Sequence, residues 1–225
     1  ETHLLSSSHF LYPLTYKRRC SMFDAPSVDH EVVLVGRSNV GKTTLMREII
    51  GKKYDTGKRP GVTLDPNRYE WNAESFAVTD MPGFGFMSGV DEEKRERIKD
   101  DIVLYLEENA DSILVAVHVI DASAFIEIVD RWERRGEVPH DVDLHDFLLD
   151  IDVPVVVAAN KIDKVEDRNG TLDGIAERLG YPPPWRQWDD TIVPVSAKRG
   201  ATDALFDAVR EKLSTQGRDD LLKFF

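Results

Sequence analysis

The chain has 225 residues, 41% of them apolar and 31% charged, enough to bury one sizeable core and within the range of a single domain. Its formal net charge is -12; Lys17, Arg18 and Arg19 against Glu1 put residues 1–21 at +2, so residues 22–225 carry -14. Such acidity suits a protein living in concentrated salt and disfavours wrapping DNA or RNA, which needs clustered Lys and Arg to displace counterions, although a local basic patch is compatible with it. No DNA partner is expected.

Residues 1–21 differ in character from the rest of the chain. Ser6, Ser7 and Ser8 are consecutive, acids are nearly absent, and the basic cluster comes after the apolar patch, the wrong order for a signal peptide. With Met22 directly after it, this tail is expected to be a disordered extension or the product of a misplaced start, and the domain to run over residues 22–225. Cys20 is the single cysteine, so an internal disulfide is excluded and the cytoplasm is the expected compartment.

Glu31 to Val35 reads as a strand, succeeded by a Gly-containing loop and a helix over Lys42 to Ile50. Arg68 to Trp71 and Ser75 to Thr79 read as strands around a turn at Asn72 to Glu74. A helix is expected over Asp91 to Glu108, with Ile98, Ile102, Tyr105 and Leu106 on one face and the charged run Asp91 to Lys99 as a solvated face. Then come a strand at Ser112 to Ile120, a helix at Ala124 to Arg135, a second helix capped by Asp143, and a strand at Val153 to Ala159. The order closes with a helix at Leu172 to Leu179, a strand at Thr191 to Val195 and a helix at Thr202 to Leu213. The apolar runs Ile113 to Ile120 and Val153 to Ala159 are too short for membrane helices and fit buried strands, so no membrane association is expected. His140, Asp141, Asp143, His145 and Asp146 lack zinc or EF-hand spacing and read as a helix start. Pro182 to Pro184 with Trp185 and Trp188 reads as a rigid surface loop. Continuous apolar strands alternating with amphipathic helices predict an α/β, three-layer fold, a roughly six-stranded and mostly parallel sheet between helices, with ligands at the carboxyl ends of the strands.

Gly36-Arg37-Ser38-Asn39-Val40-Gly41-Lys42-Thr43 matches G-x-x-x-x-G-K-[ST] between a predicted strand and a predicted helix. In a P-loop of this kind the backbone N–H groups face phosphates, Lys42 neutralises the β- and γ-phosphates, and the Thr43 hydroxyl ligates magnesium, with Thr44 next in the helix. Arg37 is read first as a salt-bridge partner, with a phosphate or partner contact as the alternative. Asp80-Met81-Pro82-Gly83 ends the next core strand, where Asp80 can hold magnesium through a water and the Gly83 N–H can bond a γ-phosphate. Alone this tetrapeptide would read as a turn.

Asn160-Lys161-Ile162-Asp163 comes after another core strand and reads as a base-selecting element. Asp163 can accept from guanine N1–H and N2–H2, a pattern adenine lacks, while the Lys161 stem packs on the ring; Asp163 as a helix cap is the plain alternative. Backbone N–H groups in Val195-Ser196-Ala197-Lys198 can reach guanine O6. Thr63, in the turn with Gly61 and Val62, is the candidate for a second magnesium hydroxyl, with Thr56 as its rival. Lys42, Thr63 and Gly83 are thus the candidate catalytic positions, and the ligands implied are GTP or GDP with magnesium.

The sequence resembles the EngB-type GTPases of the translation-factor-related class through Gly36 to Lys42, Pro60-Gly61-Val62-Thr63, Asp80-Met81-Pro82-Gly83-Phe84-Gly85-Phe86 and Asn160 to Asp163. The resemblance spans about Glu31 to Leu213. It departs from the usual family pattern at Asn160, where a Thr is usual, and in the stretch Ala124 to Arg135, which looks inserted; both suggest a divergent, archaeal branch. The resemblance implies a slow, magnesium-dependent GTPase switch. In bacteria the family is associated with assembly of the large ribosomal subunit and with cell division and septation, so the large subunit or its rRNA is an implied partner of a monomeric protein. A GTP-dependent interaction module with little turnover, or a conventional RNA-binding GTPase, are the rivals; for the latter no RNA domain is visible after Leu213. Phe84 stands where many GTPases place a water-orienting Gln. Asn39 stands where potassium-activated GTPases carry a cation-ligating Asn, though it could equally brace the loop through backbone hydrogen bonds.

Overall fold

The structure, a computed structural model, describes residues 20–51, 64–84 and 91–225. In chain order it contains β1 (His30–Val35), α1 (Lys42–Ile50), β2 (Asn67–Trp71), β3 (Phe76–Asp80), α2 (Glu92–Glu108), β4 (Ile113–Asp121), α3 (Phe125–Glu133), α4 (His140–Asp150), β5 (Val155–Asn160), α5 (Arg168–Arg178), β6 (Ile192–Pro194) and α6 (Asp203–Thr215). Among the described residues the strands form one six-stranded sheet in the order β2-β3-β1-β4-β5-β6. All neighbours are parallel except β2, which runs antiparallel to β3 at the edge.

The unbroken apolar strands are explained by burial on both faces. Val33, Val35, Ile120 and Val157 point into a core closed by Ile102 and Leu106 of α2, Val129 of α3, Leu148 of α4 and Ile175 of α5. Their neighbours Val32, Leu34, Val119 and Val156 point the other way, onto Leu45 and Met46 of α1 and Leu205, Val209 and Leu213 of α6. Each strand step therefore changes layer, and the three-layer sandwich results.

Several boundaries differ from the expected ones for identifiable reasons. The helix expected to be capped by Asp143 begins at His140, after Pro139 in the cap position with no side-chain cap; the fixed φ of proline, -66° here, sets the turn instead. Helix α5 starts at Arg168, four residues before Leu172, because Asp167 caps it by accepting from the Gly170 N–H at 3.0 Å; that first turn is polar, so apolar spacing cannot reveal it. Strand β5 starts at Val155, after Pro154, whose carbonyl accepts from the Ala116 N–H at 2.8 Å. Trp185 is buried rather than part of a surface loop: its backbone N–H donates to Asp173 Oδ1 at 2.7 Å and its indole to Asn169 Oδ1 at 3.3 Å, docking the proline-rich segment on α5. A closing turn at Asp219–Phe224, with Leu221 and Phe225 buried under the sheet, has no counterpart among the expected elements. Of the amino-terminal tail only Cys20 and Ser21 are described, and the Ser21 hydroxyl donates to the Asp101 carbonyl of α2 at 2.9 Å. No helix among the described residues is long and apolar enough to cross a membrane.

Candidate nucleotide-binding site

Four segments singled out by sequence converge at the carboxyl ends of β1, β3, β5 and β6, where a parallel sheet opens its crevice. The loop from Gly36 to Gly41 joins β1 to α1. At Gly41 φ is +111°, and an added Cβ would lie 2.2 Å from Asn160 Nδ2, so the position excludes a side chain twice over. Helix α1 opens with no side-chain cap and no acid in its first turn, which leaves its N-terminal dipole to an anion. The Thr44 N–H already bonds the Gly41 carbonyl at 3.1 Å. Lys42 is buried and donates through Nζ to the carbonyls of Gly36 (2.8 Å) and Arg37 (3.0 Å). Burial pushes its pKa down to about 8, against the opposing pull of Asp80 and Asp141.

The Thr43 hydroxyl donates to Asp80 Oδ2 at 2.6 Å. Asp80 is fully buried, and its Oδ1 has no hydrogen-bond partner among the described residues; burial raises its carboxyl above the ordinary range, with Lys42 the largest counterweight. A hydroxyl beside an orphaned buried carboxylate oxygen is the donor chemistry a hard divalent cation takes, and these residues fit magnesium. Past Asp80 the chain runs back along the P-loop: the Met81 N–H donates to the Leu34 carbonyl at 3.0 Å and the Ser38 N–H to the Phe84 carbonyl at 3.2 Å. Pro82 leads into Gly83, where an added Cβ would stand 2.6 Å from Ser38 Cα, so only glycine lets these two loops touch. Gly61, Val62, Thr63 and its rival Thr56, with Gly85 and Phe86, lie outside the described residues.

The base-selecting segments meet through side chains. Ser196 Oγ donates to Asp163 Oδ1 at 2.6 Å, and Arg199 Nε lies 3.1 Å from Asp163 Oδ2. The Ser196 hydrogen bond first, and then Arg199, hold the Asp163 carboxyl below its usual range. Asp163 sits inside the short turn Ile162–Lys164, whose cap position is Lys161, so it is not a helix cap. The Ile162 N–H donates to the Val195 carbonyl at 3.1 Å. The Ala197 N–H, one of those expected to reach guanine O6, donates to Asn160 Oδ1 at 3.0 Å, which leaves Lys198 as the next amide along the turn. Lys161 Nζ donates to the Asn39 carbonyl at 2.8 Å and to Asp121 Oδ2 at 2.6 Å.

Sequence reading missed Asp121 and Arg199, and the pairing of Asp141 with Arg37. Asp141, buried on α4, lies 3.9 Å from Arg37 Nη1 and 3.8 Å from His118 Nε2, so Arg37 has the salt-bridge role read for it. Asp121 was findable, since it ends a core strand at the same edge as the four recognised segments; nothing in the sequence marked Arg199, and Asp141 was read only as part of a helix start. His140 packs its ring 4.6 Å from that of Trp132 and edge-on to Phe84, away from His145, whose Nε2 lies 3.0 Å from the Tyr181 hydroxyl.

A family model described as "50S ribosome-binding GTPase" matches residues 31–161. The chain is 57% identical to the probable GTP-binding protein EngB of Halorubrum lacusprofundi, over 89% of this chain and 98% of that protein. It is 53% identical to the probable EngB of Haloarcula marismortui, over 91% and 100%. A crystal structure of a probable GTP-binding protein engB superposes with a TM-score of 0.71 at 44% identity, covering 80% of this chain and 99% of that one. Era, solved with MgGDPNP and nucleotides 1506–1542 of 16S ribosomal RNA, shares the fold at a TM-score of 0.53 and 24% identity, over 81% of this chain and 56% of that one. The loops that meet at this sheet edge are accordingly those of a GTP-hydrolysing P-loop protein, and the chain belongs to the EngB family of GTP-binding proteins.

Proposed function

We propose that the protein is a slow GTPase switch acting in assembly of the large ribosomal subunit, with its machinery at the sheet edge. Gly36 to Thr44 cradle the phosphates; Lys42 offsets charge on the β- and γ-phosphates; Thr43, Asp80 and Thr63 are the residues that would hold magnesium. When bound there, the metal would supply positive charge beside the phosphate oxygens. Water attacks the γ-phosphorus in line as the bond to the β–γ bridging oxygen breaks; GDP leaves, the water's proton passes to the released phosphate, no covalent intermediate forms, and Lys42 and the loop N–H groups, including that of Gly83, stabilise the spreading charge. Asp163 reads guanine N1–H and N2–H2, Lys161 covers the ring, and the Ser196 to Lys198 turn faces O6.

The observation that carries the reading is the contact of the Gly83–Phe84 turn with the P-loop through Ser38. A γ-phosphate bound at the P-loop would touch both loops, and its loss would free one from the other. Slow turnover is supported by Phe84, only 5% exposed and without a polar group to orient water. The description of the matching family model, and the association of the resembled family, support the ribosome as partner; a cytoplasmic monomer is the form in which we expect it to act.

The test is co-sedimentation with large ribosomal subunits in GTP, a non-hydrolysable GTP analogue and GDP, alongside turnover with and without subunits. Retention with the analogue but not GDP, and faster turnover on subunits, are expected. Equal retention in both nucleotides would remove the switch. No retention with any nucleotide would remove the ribosome and favour an interaction module in cell division.

A further inference from the structure

Lys161 heads the base-selecting turn with a left-handed backbone, φ +61°, and its ammonium joins two loops far apart in sequence. One bond goes to the Asn39 carbonyl in the P-loop (2.8 Å), and Asn39 is itself left-handed at φ +67°. The other goes to Asp121 Oδ2 (2.6 Å). Asp121 is in turn fixed from its own loop: its Oδ1 accepts from the Ser123 N–H at 3.1 Å and the Ser123 hydroxyl at 2.7 Å. It lies opposite Asn160 in the β4–β5 register, and the Ala122 N–H closes the pair on the Asn160 carbonyl at 2.8 Å.

From this arrangement we infer that Asp121 is a positioning residue for guanine nucleotide, holding Lys161 so that its stem stands over the base while its ammonium ties the base loop to the phosphate loop. The inference rests on the proposed roles of Lys161 and Asp163. Lysine carries four rotatable bonds and a strongly hydrated head; left to solvent, its stem samples many rotamers and covers the ring in few of them. A carboxylate at 2.6 Å, with both oxygens engaged, removes that freedom before the nucleotide arrives, which is how preorganisation raises affinity. The side chains of Lys161 and Asp121 are 25% and 20% exposed, so the pair is shielded well beyond a freely solvated one, whose worth is small. Asp121 touches neither base nor phosphate in this role. Its effect must pass entirely through Lys161.

That restriction makes the inference separable from a general structural role by a double-mutant cycle of Asp121→Ala and Lys161→Met, read in the dissociation constants and dissociation rates of fluorescent GDP and GTP analogues. In the wild-type background Asp121→Ala should weaken both nucleotides about tenfold, the size of a charge-assisted hydrogen bond, mostly by faster release and to the same extent for GDP and GTP. In the Lys161→Met background the same change should alter affinity by less than about twofold, as one broken link cannot be broken again. Asp121→Asn, which keeps the shape and loses the charge, covers the case in which the alanine variant does not fold. An equal tenfold loss in both backgrounds, or none in the wild type, overturns the role of Asp121 alone. Unchanged guanine affinity in Lys161→Met would instead overturn the base-pocket reading beneath it.

Discussion

Asn160 ties the phosphate loop to the base loop: its Nδ2 donates to the Val40 carbonyl at 2.7 Å and its Oδ1 accepts from the Ala197 N–H at 3.0 Å. The side chain is buried, so Asn160→Ala strands two backbone groups away from water, each at a cost of about 1–3 kcal/mol. The variant should lose about 2–6 kcal/mol of unfolding free energy in urea and release guanine nucleotide faster. Asn160→Thr, which restores one hydroxyl, should recover part of both. Wild-type stability in the alanine variant would mean that water replaces both bonds.

Guanine selectivity is predicted to rest on Asp163. Asp163→Asn should weaken GTP by roughly a hundredfold, the worth of two hydrogen bonds to a charged acceptor, and should favour xanthosine triphosphate, whose C2 carbonyl meets the new amide donor. Competition binding against a fluorescent GDP analogue measures both. A variant with wild-type GTP preference would dismiss the assigned base pocket.

The sequence made the phosphate and base loops readable because each is a local motif between a strand and a helix, and the strand pattern alone places such loops at one sheet edge. What it hid are the pairings between them. That Asn160 seats on Val40, 120 residues away, or that Lys161 reaches Asn39 and Asp121, depends on strand order, which periodicity does not contain. Polar helix starts were hidden for a different reason: Asp167 and Pro139 determine helix onset through backbone geometry, while the expectation tracked apolar residues further along. Trp185 was misplaced because a proline-rich run reads as solvent-facing, although its N–H groups found Asp173 and Asn169.

Thr43 and Thr63 are predicted to separate by nucleotide state. Thr43→Ala removes the hydroxyl bonded to Asp80 and should abolish the magnesium dependence of both GDP and GTP affinity while the protein keeps its fold. Thr63→Ala should spare GDP and weaken the GTP state, since a second hydroxyl would reach the metal only beside the γ-phosphate. Titrations with and without chelator test both. Equal loss of GDP and GTP in the Thr63 variant would assign it a structural role.

His145 gives the fold an acid liability. Its ring is buried against His118 and bonded to Tyr181, and burial, with a smaller push from His118, holds its pKa down to about 3. The unfolded chain takes up a proton at this residue near pH 6.5 and the native chain only near pH 3, so stability is lost as pH falls between those values, by up to about 1.4 kcal/mol per pH unit. His145→Phe should flatten the fall by up to one proton over that window, as read from unfolding free energies at pH 4, 5, 6 and 7. An unchanged slope would place the uptake on other groups.

Hydrolysis by the isolated protein is predicted to be slow and to prefer potassium. Phe84 can neither donate to nor accept from the attacking water, so another group must position that water or offset the charge, as an arginine finger offsets it in other GTPases. Asn39 is exposed, and among the described residues its side chain has no hydrogen-bond partner; what braces the loop at this position is its carbonyl, bonded to Lys161. The amide oxygen is therefore available to a monovalent cation lying against the phosphates. Steady-state GTPase rates in KCl and NaCl at equal ionic strength, for wild type and Asn39→Ala, decide the matter; equal ionic strength matters because the chain carries a net charge of -12 and any salt will screen its self-repulsion. Faster turnover in potassium, at least about tenfold by analogy with a single charge supplied at the transition state, should disappear in Asn39→Ala while GDP affinity is retained. Equal rates in the two salts, or brisk turnover in sodium, would defeat the cation site and leave a bound partner as the source of the missing charge.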